Sequence, residues 1–232
     1  MKVAAIHQPG YLPYLGYFYK MARADVFIHL DNTQFANGGF QNRNRVKTST
    51  GEVMMTVPVA YDFGDALNQV KICEARDWRR KHLRTLEMNY HKAPFFDRYF
   101  PAFKRLLEAK YKALAYMNIA INEWIADEFH IRPKIMNASQ FPLDSRKESL
   151  VIDLCKAVGA DTYLSGRGAQ IYQHPQHFED NGLRLIYAED VCWPYNQLYK
   201  DFLPYMSSLD FLFNEGDRFR PWLAAGGALQ DG

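Results

Sequence analysis

A chain of 232 residues is long enough for one large domain, or for a core that carries an insertion. Its formal net charge of +2 is too small to argue for a nucleic-acid partner, and the basic run from Arg76 to Arg84 reads as a solvated helix face. The three cysteines, Cys73, Cys155 and Cys192, are too scattered for a disulfide framework or a C-x-x-C metal site. No apolar run reaches the length of about 18 residues that a membrane span needs. The N-terminus enters a strand without a charged and apolar leader, so a cytoplasmic protein with no membrane insertion is expected.

In chain order, Val3 to His7 reads as a buried strand entering the Pro/Gly-rich loop Gln8 to Gly16. A helix from Tyr17 to Ala24 and a second apolar strand from Asp25 to Leu30 follow. Glu52 to Ala60 is strand-like, with Pro58 marking an edge or an end, and Val70 to Cys73 is a further short strand. Trp78, His82, Leu86 and Tyr90 then recur every four residues, on one face of a helix. Further helices are expected from Pro101 to Ala113 and from Tyr116 to Phe129. Beyond a strand at Pro133 to Met136, Asp144 or Ser145 can cap a helix over Arg146 to Val158, which Gly159 ends. Strands at Thr162 to Gly166 and Leu183 to Tyr187 precede an amphipathic, helical tail from Asp201 to Phe213. Strands alternating with helices give an α/β fold with a mostly parallel sheet. We read one domain over 1–232, its α/β core formed by 1–76 and 131–232 and a helical insertion by 77–130.

Ligands bind at the carboxyl ends of the strands in such sheets, so the residues there are the first candidates. His7 can donate to a phosphate or to a developing negative charge, or it can simply tie down the loop. Asp31 can hold Mg²⁺, accept from a ribose hydroxyl or orient an amine, or serve as a turn cap. Gln34 can read an amide or a hydroxyl. Arg43, Arg45 and Lys47, interleaved with Asn42 and Asn44, suit a phosphate or carboxylate clamp, with a solvated hairpin as the alternative. Ser145-Arg146-Lys147 stands at a helix start, where free N–H groups attract anions. Ser165-Gly166-Arg167-Gly168, after a strand, can pass close to a ligand. Tyr11, Tyr14 and Trp193 can stack on a ligand or fill the core. The pair His174 and His177 lacks a third ligand, so no metal site is expected there. Phosphate-binding P-loop, dinucleotide and nucleophile-elbow motifs are absent.

His7-Gln8-Pro9-Gly10-Tyr11-Leu12-Pro13-x-x-Gly16-Tyr17-Phe18, Asp31-x-x-Gln34 and Gln41 to Arg45 together resemble the WbqC-like family. The likeness continues through His82 to Glu87, Tyr163 to Gly166 and Ser208 to Asn214. It departs at Asn32, where a second acidic residue often stands. That family's association with bacterial surface-polysaccharide and O-antigen gene clusters implies a sugar nucleotide or amino sugar as substrate. A more distant likeness, over Ala24 to Phe35 and the Ser145 segment, is to pantothenate synthetase and its nucleotidyltransferase relatives. It implies a Rossmann-like sheet, with ATP and Mg²⁺ activating a carboxylate that an amine then attacks. Only His7 stands where those relatives carry two histidines, so Gln8 and Tyr11 would substitute.

The resemblance thus implies acyl or aminoacyl transfer from a small acyl or amino-acid donor onto an amino sugar. His7 and Ser145-Arg146-Lys147 would stabilise phosphate charge. Arg43 and Lys47 would hold the donor carboxylate or the sugar-nucleotide diphosphate, with Asn44 in the binding set, and Asp31 would orient or deprotonate the amine that Gln34 positions. Ser165 and Gly166 complete the binding set. The alternatives are a nucleotidylyltransferase that loads a sugar phosphate, and a non-catalytic sugar-nucleotide-binding protein.

Overall fold

The computed structural model describes residues 1–75 and 77–226. Arg76, which opens the basic run, lies outside them. Val3–His7 (β1) is a nearly unbroken apolar run because both faces of its sheet are covered. Leu15–Ala22 (α1) connects it to Val26–His29 (β2). A hairpin of Arg43–Thr48 (β3) and Gly51–Thr56 (β4) follows, then the two-residue strands Val59–Ala60 (β5) and Lys71–Ile72 (β6), with Pro58 between the two ladders.

Three helices come next: Trp78–Tyr90 (α2), Phe96–Glu108 (α3) and Leu114–Glu128 (α4). The chain then re-enters the sheet at Lys134–Asn137 (β7) and continues through Lys147–Ala157 (α5), Thr162–Ser165 (β8), Pro175–Asp180 (α6) and Arg184–Tyr187 (β9). Ser208–Glu215 (α7) and Phe219–Ala224 (α8) close the described chain. No described helix is long and apolar enough to cross a membrane.

The central sheet has five strands in the order β7-β2-β1-β8-β9, and every pairing is parallel. This is a Rossmann-like arrangement: the chain builds outward from β1 through β2 to β7, then returns to the other side of β1 for β8 and β9. Alternation along the strands divides the core in two. Val3, Ala5, Phe27 and Leu164 face a large cluster shared with α1 to α4 and α7. Ala4, Ile6, Val26, Ile28 and Tyr163 face a smaller one shared with α5 and α6.

Several elements differ from the sequence expectation: the expected strand Glu52 to Ala60 is two strands, and α6 forms where no element is expected. α3 begins five residues before Pro101, because Phe96, Tyr99, Phe100, Phe103 and Leu107 are all buried along one stripe. That burial outweighs the one helical hydrogen bond a proline cannot donate. The tail helix starts only at Ser208, where the Ser207 hydroxyl caps Leu209 N–H at 3.2 Å. Asp201 and Tyr205, both at positive φ, break the helix expected upstream. Neither Asp144 nor Ser145 caps α5; its N-cap is Arg146, with no side-chain bond.

Phe129 ties the layers together. Its ring stacks on Phe219 at 4.7 Å and meets the edges of Phe18 and Phe211 at 5.4 and 5.7 Å. Truncation leaves a cavity that three elements cannot close, so Phe129→Ala should lower unfolding stability by about 3–5 kcal/mol in denaturant titration.

Candidate functional site

The sheet order changes direction between β1 and β8, and the strand ends diverge there. A cleft of about 1260 Å³ opens at that point, reaching from His7 and Gln8 across Ser165 and Gly166 to the first turn of α5 and the region around α6. In an open parallel sheet this switch point is the ligand-binding position.

Lys20 lies on the cleft wall. It sits in the all-buried stretch Leu15 to Met21 of α1, and only 4% of it is exposed. Its Nζ reaches the Ile6 carbonyl at 3.4 Å, and a Cβ on Gly166 would stand 3.8 Å from it. Among the described residues no carboxylate pairs with it. Burial alone pulls its pKa down to about 7.

His7 sits beside it. Nδ1 lies 2.9 Å from the Gln8 carbonyl, which can only accept, so Nδ1 carries the proton. Burial first, and then the charge of Lys20, lower its pKa to about 3. The imidazole is therefore neutral at physiological pH with a bare Nε2. With Nδ1–H given to Gln8, the ring's other nitrogen can accept from a ligand but, while neutral, cannot donate to a phosphate. Gln8 is clamped, giving its Nε2–H to Thr33 Oγ1 at 2.9 Å and accepting from Gln41 Nε2 at 2.8 Å.

On the α5 side, Arg146 and Lys147 line the cleft together with Glu148 and Ser149. Lys147 takes a φ of 54° at the first helical residue, a left-handed strain. Ser165 Oγ donates to Gln173 Oε1 at 2.9 Å. Arg167 adds a fourth cation, while Glu189 and Asp190 follow β9 with opposite charge. Among the described residues no group of three or more His, Cys, Asp or Glu is placed to hold a metal ion.

Of the sequence candidates, His7, Gln8, Tyr14, Arg146, Lys147, Ser165 and Gly166 thus meet in one cleft, where His174 and His177 also stand. The following candidates lie elsewhere. Asp31 is fully buried, and both its oxygens accept from Ser139, the backbone N–H at 2.9 Å and the hydroxyl at 2.6 Å. Tyr11 is buried with its hydroxyl 2.9 Å from His82 Nδ1. Gln34 is exposed and bridges to Ala66. Arg43 donates to the Gly38 carbonyl and Asn44 to that of Leu12. Lys47 Nζ donates to Gln197 Oε1 at 3.1 Å and to the Asp201 carbonyl at 2.7 Å. Ser145 Oγ is buried without a partner, just outside the lining.

The loop from Pro9 to Leu12 is thereby fixed from behind. Asn118 and Asn122, four apart on α4, donate to the carbonyls of Pro9 and Gly10 at 2.9 and 3.1 Å. Gly10 fits closely, since a Cβ there would stand 3.0 Å from the Phe40 carbonyl oxygen and the backbone would have to give way.

The WbqC-like protein family model matches residues 8–220, which spans the cleft and the loop that frames it. The chain belongs to the WbqC-like family. A curated relative, the uncharacterized protein Rv1507c of Mycobacterium tuberculosis, is 33% identical over 223 residues, covering 93% of this chain and 95% of the relative. No solved structure matches the chain significantly.

Sequence reasoning passed over the cleft-lining Lys20, Glu148 and Asp190 of this WbqC-like chain, and weighed His177 only as a metal ligand. Lys20 had a signal, a lone charge inside the apolar octet Leu15 to Ala22. The pairing of Glu148 with His177 had none, since the two are joined only by folding.

An unpaired buried ammonium destabilises the empty protein. Between its folded value of about 7 and an unfolded value of about 10.4, the unfolded chain binds the extra proton, so this group makes stability rise with pH. Below about 7 the full cost is present. Lys20→Met should therefore raise the melting temperature at about pH 6, with the gain shrinking toward about pH 10 in a scanning-calorimetry series.

Proposed function

We propose that this chain is a transferase or ligase of surface-polysaccharide biosynthesis, joining an acyl or aminoacyl group to the amine of an amino sugar or sugar nucleotide. The observation that carries this reading is the ammonium of Lys20, without a carboxylate partner among the described residues, in a switch-point cleft lined by both cations and carboxylates. Lys20, Arg146, Lys147 and Arg167 suit the phosphates of a nucleotide-activated donor, and the uncapped start of α5 adds free N–H groups. Glu189 and Asp190 suit a cationic amine. The neutral His7 ring and the clamped Gln8 can orient a ligand's N–H or hydroxyl. The volume suits a ligand as large as a sugar nucleotide.

ATP fits the donor set as a source of the activated acyl group. Its Mg²⁺ would enter on the phosphates. The chain's own contribution is electrostatic: it collects the donor's negative charge beside Lys20 and holds the acceptor close, two effects that supply much of the rate in such transfers.

A thermal-shift panel tests this directly, using ATP with Mg²⁺, coenzyme A thioesters and nucleotide-linked amino sugars. A ligand at about 100 times its dissociation constant adds about 2.7 kcal/mol to the folded state. ATP or a sugar nucleotide should raise the melting temperature, and Arg146→Ala or Lys147→Ala should weaken binding about tenfold. Arg43→Ala, outside the cleft, should leave the shift intact. No shift with any phosphate ligand would refute the reading. Pyrophosphate release with a sugar phosphate and no amine would replace it with nucleotidyl transfer.

A further inference from the structure

The cleft needs a group that removes a proton from the acceptor as it reacts. Asp31, the carboxylate the sequence offered, is occupied by Ser139. His7 has too little basicity, held near 3 by burial and by Lys20. Another pair on the wall has the right construction. Glu148, in the first turn of α5, places Oε1 2.7 Å from His177 Nδ1 and accepts the His174 backbone N–H on Oε2 at 2.9 Å. All three residues line the cleft.

We propose that His177 is the catalytic base of this site, with Glu148 as its positioning residue. The proposal rests on the group-transfer reading above and names the residue that activates the acceptor. An ionised carboxylate can only accept, so the Glu148 bond puts the neutral ring's proton on Nδ1 and leaves Nε2 bare. Among the described residues Nε2 has no partner. As the acceptor amine forms its C–N bond to the acyl carbon, Nε2 takes the proton that the nitrogen loses. The C–O bond to the donor phosphate breaks, its electron pair leaving on the phosphate. The imidazolium is stabilised by Glu148 and then releases its proton to solvent or to that phosphate. The carboxylate behind the ring plays the part that an aspartate plays in a hydrolase triad.

The charged neighbours support this division of roles. His174, from the turn before α6, lies 3.5 Å from the same Glu148 oxygen, and Tyr187 of β9 faces Glu148 as well. Burial by itself would raise the Glu148 carboxyl, but the bonds from His174 N–H and His177 prevail and hold it below the usual range. Glu148 therefore stays ionised behind the ring. His7 and His177 differ accordingly: a backbone carbonyl fixes His7, and a carboxylate fixes His177.

The test uses the full chain, with His177→Gln to assign signals. Nitrogen NMR of the imidazoles, at a pH high enough that the rings are neutral, should show His177 as the Nδ1–H form, and Glu148→Gln should redistribute the proton toward Nε2. Diethyl pyrocarbonate, a carbonyl reagent attacked by unprotonated imidazole, should modify His177. ATP with Mg²⁺ should slow that modification about tenfold while leaving the more exposed His174 reactive, and Glu148→Gln should slow it several-fold without ATP. An Nε2–H tautomer in the wild type would overturn the proposal. So would a protein that ATP stabilises thermally but whose His177 it does not shield. If ATP gives no thermal shift, ATP as the donor's source fails by itself, and the tautomer and the effect of Glu148→Gln still decide the pair.

Discussion

An ammonium group held almost out of water, with no carboxylate beside it among the described residues, is the constraint around which this site is arranged. Lys20 is carried there by α1, whose other residues are anchored in the largest hydrophobic cluster of the molecule. That helix cannot swing the side chain back to solvent without unpacking Tyr17, Phe18 and Met21. The cost of the desolvated charge is thus sustained by apolar packing elsewhere, a common arrangement at functional sites. Its consequences spread outward. The charge helps to keep His7 neutral, and the Gln8 carbonyl fixes which ring nitrogen holds the proton.

The gap that Lys20 borders follows from topology. Strands β1 and β8 pair through Val3 to Ala5 only, so beyond that register their ends diverge. The space is closed on one face by α1 and on the other by α5 and α6, which brings a helix start, four cations and three carboxylates around one volume. The helices α2 to α4 serve this arrangement from a distance. Asn118 and Asn122 on α4 grip the carbonyls of the opening loop, and His82 on α2 meets the Tyr11 hydroxyl. The N-terminal motif therefore has two jobs: His7 and Gln8 face the cleft, while Pro9 to Leu12 hold its wall in place.

Much of the α/β core was legible in the sequence because the signals there are local. The unbroken apolar runs at Val3 and Val26 report a sheet covered on both faces, and the family motif begins at the sheet edge where the cleft opens. Side-chain direction was not legible. Asp31 follows β2 as expected, yet its carboxylate turns into the protein to hold Ser139, a residue 108 positions away. Arg43, Asn44 and Lys47 form a dense polar cluster, but β3 spends them on a hairpin, a loop carbonyl and the segment near Gln197. The Glu148–His177 bond joins residues 29 apart that share no motif. Such contacts depend on tertiary geometry, which composition and periodicity do not encode.

The central claim, that Lys20 is kept unpaired for the charge of an anionic ligand, is tested most directly by titration calorimetry with ATP at about pH 8 in two buffers of different ionisation heat. An amine with a pKa near 7 is mostly neutral there when the cleft is empty and must gain a proton when a phosphate settles against it. The account predicts uptake approaching about one proton per ATP bound, abolished in Lys20→Met. ATP binding with the same heat in both buffers would contradict it.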